Sequence, residues 1–153
     1  MRPLLIISGG QTGVDRAALD AALEMGIPIA GWCPKGRRAE DGPIDNRYTL
    51  TETPMEASTQ RTVWNVQRSD GTLVIGTAVS PGTNLAIQTA RQMDKPLMVH
   101  GTESPKAISD IRAWLKLYDI RTLNVAGPRE SESPGIYDRA FRCFRKLLSG
   151  AID

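Results

Sequence analysis

The sequence is poor in the residues that build metal centres and disulfide scaffolds: its 153 residues include two cysteines and one histidine. Cys33 and Cys143 lie in separate segments without CxxC spacing, which excludes a zinc ribbon and leaves two reduced thiols as the expectation. His100 falls near the end of a predicted buried strand, where a structural role takes precedence over metal ligation or acid–base chemistry. The longest apolar runs, such as Leu4 to Ile7 and Leu73 to Ile75, fall far short of the roughly 18 residues of a membrane span. A secretion signal is also missing, since the N-terminus runs directly into a strand pattern, so the expected compartment is the cytoplasm. Nor is there a large excess of positive charge. A net charge of +2, evenly spread, argues against duplex nucleic acid as a partner. The local group Arg139, Arg142, Arg145 and Lys146 recurs at helical spacing beside Ile136, Ala140, Phe144 and Leu147, as a solvated helix face does.

What is present is the composition of an ordinary soluble domain, 41% hydrophobic and 24% charged, and a length that fits one domain over residues 1–153. Short apolar runs alternate with longer amphipathic segments. Strands are expected near Leu4 to Ser8, Ile27 to Gly31, Leu73 to Gly76, Leu97 to His100 and Leu123 to Ala126. Helices are expected from Gly13 and near Met55 to Arg68, Asn84 to Met93, Pro105 to Tyr118 and Pro134 to Leu148, several with proline at or near the start. The alternation predicts an α/β fold: a Rossmann-like three-layer sandwich on a mainly parallel sheet of about five strands. The first helix places Val14, Ala17, Ala18, Ala21, Ala22 and Met25 on one side, and Leu19 with Leu23 roughly opposite. That second apolar side, with Trp64 in a later helix, motivates a homo-oligomer, most simply a dimer. The alternative is that the leucines pack under a loop or under the C-terminal segment.

The strongest local signal is Ser8-Gly9-Gly10-Gln11-Thr12-Gly13-Val14-Asp15 between a strand and a helix. Glycines bring backbone N–H groups close to a ligand, and the helix N-terminus adds unpaired donors, so phosphate is the natural guest. The plainer alternative is a connecting turn. The P-loop Lys-Ser/Thr is missing, which disfavours ATP hydrolysis. The acidic residue that would hold a dinucleotide's ribose at the end of the second strand is missing too, and Lys35, Arg37 and Arg38 stand there instead. These cations suit further phosphate groups. Asp15 and Arg16 occupy the first helical turn, where Asp15 either complements the helix dipole or meets a ligand hydroxyl or amide. A second glycine turn, Ser80 to Asn84, and a third junction, Ala126-Gly127-Pro128-Arg129-Glu130, should converge with the first at the strands' C-terminal edge. The long, charged stretch from Cys33 to Tyr48 reads as a ligand-covering loop, or else as a surface excursion whose charges face water.

Ser8 to Leu19, Gly31 to Gly42, Arg61-Thr62 with Asn65, Ser69 to Thr72, and Pro81-Gly82-Thr83 together resemble the molybdenum carrier (MoCo carrier) family over essentially the whole chain. That family is related to the LOG phosphoribohydrolases, often labelled lysine-decarboxylase-like, and to DNA-processing protein A. The C-terminal Leu123 to Arg129 unit resembles the one that opens LOG-type chains. The resemblance therefore implies a circular permutation and a sheet order of 2-1-5-3-4. It also implies a departure, because Leu85 and Ala86 stand where LOG proteins carry their catalytic glutamate pair. Without a carboxylate there, that hydrolase mechanism does not transfer.

The preferred reading is a non-enzymatic carrier or sensor for molybdenum cofactor or another phosphorylated nucleotide-like ligand, with no protein metal site. The alternative is a nucleotide-processing, phosphoribohydrolase-like enzyme using Asp15, Glu40, Asp41 or Glu130. Single-stranded nucleic acid binding follows from the kinship with DNA-processing protein A, and the lack of a large basic stripe opposes it. Expected ligand contacts are Gly9, Gly10, Gln11, Thr12, Gly13 and Asp15, then Lys35, Arg37, Arg38 and Arg61, then Gly82, Thr83, Gly127 and Arg129. The anion itself is expected beside the Gly10 to Gly13 amides. Arg61 has the alternative reading of an exposed helix arginine.

Overall fold

Each apolar run becomes a strand and each amphipathic run a helix in the computed structural model, which describes residues 4–76, 80–102 and 104–149. The expected 1–153 domain therefore extends beyond the described residues at both ends. In chain order the elements are β1 (Leu5–Ile7), α1 (Val14–Glu24), β2 (Ile29–Ala30), β3 (Trp32–Cys33), β4 (Arg38–Ala39), β5 (Gly42–Pro43) and β6 (Thr51–Glu52). There follow α2 (Ser58–Arg68), β7 (Gly71–Ile75), α3 (Pro81–Gln92), β8 (Leu97–His100), α4 (Ala107–Leu117), β9 (Thr122–Ala126) and α5 (Ile136–Ser149). The main sheet is parallel throughout and runs β2-β1-β9-β7-β8. Counted among its own five members this is the order 2-1-5-3-4. It differs in detail from a plain five-strand reading, because four two-residue strands, β3 to β6, form two small sheets outside it. Strand β2 is also shorter than the Ile27 to Gly31 expected.

Period-two alternation divides the strand side chains between two faces. Ile6, Leu73, Ile75, Leu123 and Val125 face α1, α4 and α5, joining Ala17, Ala18, Ala21, Ile111, Phe144 and Leu147 in the main core. The alanines of α1 bury completely, so α5 approaches closely. The opposite face is covered by α2 and α3 around a smaller cluster of Val66, Ala86 and Ala90. This face is the more polar one: Thr72 and Asn124 are buried on adjacent strands, with Asn124 Nδ2 donating to Thr72 Oγ1 at 3.3 Å. Among the described residues no helix is long and apolar enough to cross a membrane.

The charged stretch after β3 folds back as a lobe with its own core, and this decides between the two readings of Leu19. Leu19 is fully buried against Cys33, Ile44, Tyr48 and Leu50, which is the packing under a loop kept as the alternative. Burying one such side chain contributes about 1.5–3 kcal/mol. Leu23 stays 41% exposed, and Trp64 sets its ring edge-on to Trp32 at 4.7 Å.

Candidate functional site

Strand β1 continues leftward to β2 through α1 on one face, and β7 continues rightward to β8 through α3 on the other. The chain therefore changes direction around β9, and in open α/β sheets such a switch point leaves a crevice beyond the strands' C-terminal ends. A cleft of about 200 Å³ lies there. Its walls come from the loops after β1, β7 and β9 and from α2, as the convergence of the three glycine junctions predicts.

Of the expected contacts, Gly9, Gln11, Asp15 and Arg61 line the cleft on one side. Gly82, Thr83, Gly127 and Arg129 line it on the other. The guanidinium of Arg61 lies flat over Gly9: Nη1 donates to Gly9 O at 3.1 Å and Nε to Ser58 O at 3.4 Å, and an added Cβ at Gly9 would collide with it. This glycine makes room for an arginine. Asp15 Oδ2 accepts the Gln11 N–H at 3.3 Å and faces Arg61 Nη1 at 3.6 Å, with both side chains nearly buried. Burial raises the Asp15 carboxyl from its ordinary 3.8 to about 6, against the opposing pull of Arg61, the backbone amides of Gln11 and Gly9, and Arg16.

Of the Gly10 to Gly13 amides beside which the anion is expected, three already donate within the protein. Gly10 N donates weakly to Ser8 Oγ at 3.4 Å, Gln11 N to Asp15, and Thr12 N to Gln11 Oε1 at 3.0 Å. Gly10 has φ 81° and packs against Leu50 and Ile44 of the lobe, so it lies outside the cleft. Gly13 abuts the backbone of Pro128, whose carbonyl takes the first α1 amide, Val14 N, at 3.2 Å. Thr12 turns to the far side, donating to Glu40 and accepting Glu130 N at 3.1 Å. Three of the four amides before α1 thus donate within the protein, and Asp15 stands in its first turn as a resident anion.

The lobe does not cover the cleft either, and its basic residues are corrected with it. Arg37 donates to the carbonyls of Ile44, Asp45, Tyr48 and Leu50 at 2.9–3.3 Å, holding the lobe's own turns. Lys35 and Arg38 are exposed and lie away from the cleft. Asp41 pairs with Arg16. Glu40 ties the lobe to the body through Thr12 and Ser131. Its carboxyl is raised by desolvation, but the hydrogen bonds from Ser131 and Thr12 outweigh this and hold it below its ordinary value.

The β7–α3 junction is built differently. Ser80 caps α3, its Oγ accepting Thr83 N at 3.2 Å, and its carbonyl takes Asn84 N at 2.8 Å. Pro81 has no N–H to offer, so among the described residues Gly82 carries the remaining first-turn donor. Nothing lies within 4 Å of an added Gly82 Cβ, and no acidic residue stands in that turn. Arg129, 45% exposed, reaches the cleft rim with long contacts of 3.5 Å to Glu132 and 3.8 Å to Glu40. Sequence reasoning missed Asn124 as a cleft residue, although a polar side chain inside the apolar Thr122–Ala126 strand is itself a signal. It also left out Asn65, whose amide buckles β3 to α2 through Trp32 N and O at 2.7 and 3.0 Å. Among the described residues no group of three or more His, Cys, Asp or Glu side chains is arranged to hold a metal ion.

Comparison with solved structures finds a close match in the "Putative molybdenum carrier protein" of Syntrophus aciditrophicus SB: 40% identity over 95% of each chain, with a TM-score of 0.92. A second structure, an (E)-4-hydroxy-3-methyl-but-2-enyl diphosphate reductase, shares 6% identity over 94% of this chain and 59% of that one. Its TM-score is 0.40, too low to bear on fold or function. No curated protein matches the sequence. The model of the circularly permutated YpsA SLOG family matches residues 6–148. Its description agrees with a sheet in which the last strand is inserted between the first and third. The chain belongs to the circularly permutated YpsA SLOG family.

Proposed function

We propose that the cleft binds the phosphate-bearing end of a nucleotide-like ligand, and that the protein acts as carrier or sensor for it. The observation that carries this reading is the switch-point cleft itself, where Arg61 and Arg129 flank the open first turn of α3. Guanidinium groups and helix N-termini are the usual phosphate partners. At about 200 Å³ the space is below the roughly 300–1,000 Å³ of pockets that enclose a whole drug-sized ligand. The first turn of α3 carries no acidic residue and Leu85 and Ala86 follow it, so this end of the helix offers no carboxylate, which favours carriage over hydrolysis. Molybdenum cofactor is the candidate cargo taken from the name of the 40%-identical relative. The metal would stay on its own dithiolene. Calorimetric titration with molybdopterin species and a panel of nucleoside monophosphates tests the reading. Saturable binding of at least one is expected, and no binding by protein of verified fold overturns it.

A hydrolytic reading rests on Asp15 alone. Of the four carboxylates considered, Glu40 is held by Thr12 and Ser131, Asp41 pairs with Arg16, and Glu130 accepts Gly135 N and Tyr137 N at the start of α5. Base release from nucleoside monophosphates above enzyme-free controls would support it. A dimer belongs to the same proposal on the exposed Leu23, and light scattering at high micromolar concentration decides it. A cytoplasmic setting is proposed on the two free, buried cysteines, Cys33 and Cys143.

A further inference from the structure

Asp15 lines the cleft as a nearly buried carboxyl, and its surroundings decide what a ligand must bring to it. The side chain is 13% exposed and lines the cleft. A carboxylate offers about four lone-pair directions. Here the carboxylate takes the backbone amides of Gln11, at 3.3 Å to Oδ2, and of Gly9, and faces at 3.6 Å an arginine that is itself committed to Gly9 O, which leaves at least one direction unfilled. Acceptor capacity is therefore left over in a place where water is scarce.

Charge sorts the groups that can use it. A phosphate placed on Asp15 meets like charge, and an ammonium meets the Arg61 guanidinium at the same spot. A neutral hydroxyl escapes both penalties, because it donates to the carboxylate and accepts from the arginine. The remaining walls point to a sugar rather than a base. They carry Ser58, Thr62 and Asn124, and among the described residues no aromatic side chain lines the cleft to stack on a ring. Resting on the ligand reading above, we infer that Asp15 is a specificity residue that accepts a hydrogen bond from a sugar hydroxyl of a nucleotide or sugar phosphate.

The test uses AMP, 2′-deoxy-AMP, 3′-deoxy-AMP and a phosphorylated pterin against the full chain and its Asp15→Asn variant. A site built to pair a hydroxyl rejects the analogue lacking it. The native protein should therefore bind at least one deoxy nucleotide tenfold or more weakly than AMP. Asp15→Asn should bind AMP and that analogue alike. The native protein alone already tests the idea, so a variant that fails to fold does not rescue it. Equal affinity of the native protein for AMP and both deoxy forms overturns the inference and leaves the phosphate reading standing. Undiminished discrimination by Asp15→Asn does the same, and so does binding of the pterin without AMP. Failure of every probe to bind folded native protein removes the ligand reading and this inference together.

Discussion

Two strand-to-helix junctions of the same sheet, after β1 and after β7, look alike in sequence and behave as opposites. The first has three glycines in five residues, Gly9 to Gly13, and the second has Gly76, directly after the strand, and Gly82 in the first turn of the helix. Yet each glycine of the first is met by another part of the protein, Gly9 by Arg61, Gly10 by the lobe and Gly13 by Pro128, while Gln11 and Asp15 still line the cleft. The second keeps free space at Gly82. Glycine marks any close approach to the backbone, and the approaching group is as readily another part of the protein as a ligand.

Substitution of these glycines gives the largest expected effect. Gly13→Val puts a β-branched side chain at φ 78° against Pro128 and should cost about 3 kcal/mol or more in chemical denaturation. Gly10→Val should likewise damage folding. Gly82→Val should change stability by no more than about 1 kcal/mol while weakening AMP binding at least tenfold. A Gly10→Val protein of native stability would break the contrast.

Asp15 sharpens it next, as the anion already resident at the closed junction. Its carboxyl is raised from 3.8 to about 6, so the folded state holds a proton that the unfolded chain releases between those values. Stability is therefore greatest below pH 4 in this respect and falls as pH rises to 6, by roughly 3 kcal/mol in all. The native stability profile should show this fall, after allowance for other groups, and the Asp15→Asn profile should lack it. Superimposable profiles would show that the carboxylate is not held at a cost.

Removing the arginine that bridges the closed junction and the cleft comes third. Arg61→Ala should lose about 1.5–3 kcal/mol of AMP affinity, the worth of a charged hydrogen bond, and should leave Asp15 with a higher titration midpoint still. Titration of the carboxylate by NMR checks the second half of this prediction.

The smallest effect belongs to the junction after β8, which is tied by an ionisable pair instead of packed backbone. His100 faces Gly101 O at 2.8 Å from Nδ1 and Asp110 at 3.1 Å from Nε2. The Gly101 carbonyl, then Asp110, raises its pKa. Its contribution is complete below the ordinary value of 6.5 and is lost as pH rises through the folded value. The loss should be about 1 kcal/mol or less, visible as a small alkaline decline that His100→Asn lacks.

Much of the fold was legible because it is written in local period. The apolar run of Leu73 to Ile75, the alanine stripe of α1 and Pro81 at the start of α3 each act within a few residues. The same reading left open whether Leu19 meets a second copy or a loop, because periodicity reports that a face is apolar without saying what covers it. The cover is Tyr48 and its neighbours in the lobe. Arg37 and Arg38 looked like equivalent phosphate ligands, but four carbonyls consume one and the other is exposed and does not line the cleft.

By itself the sequence determined the layered α/β architecture, the three junctions at one sheet edge and, through resemblance, the place of the last strand. Tertiary structure alone decided which junction stays open. The groups that close the first come from far along the chain: Arg61 lies 52 residues from Gly9 and Glu130 lies 118 from Thr12. A backbone donor is available to a ligand only if no such distant group reaches it first, and that depends on how the helices and the lobe pack.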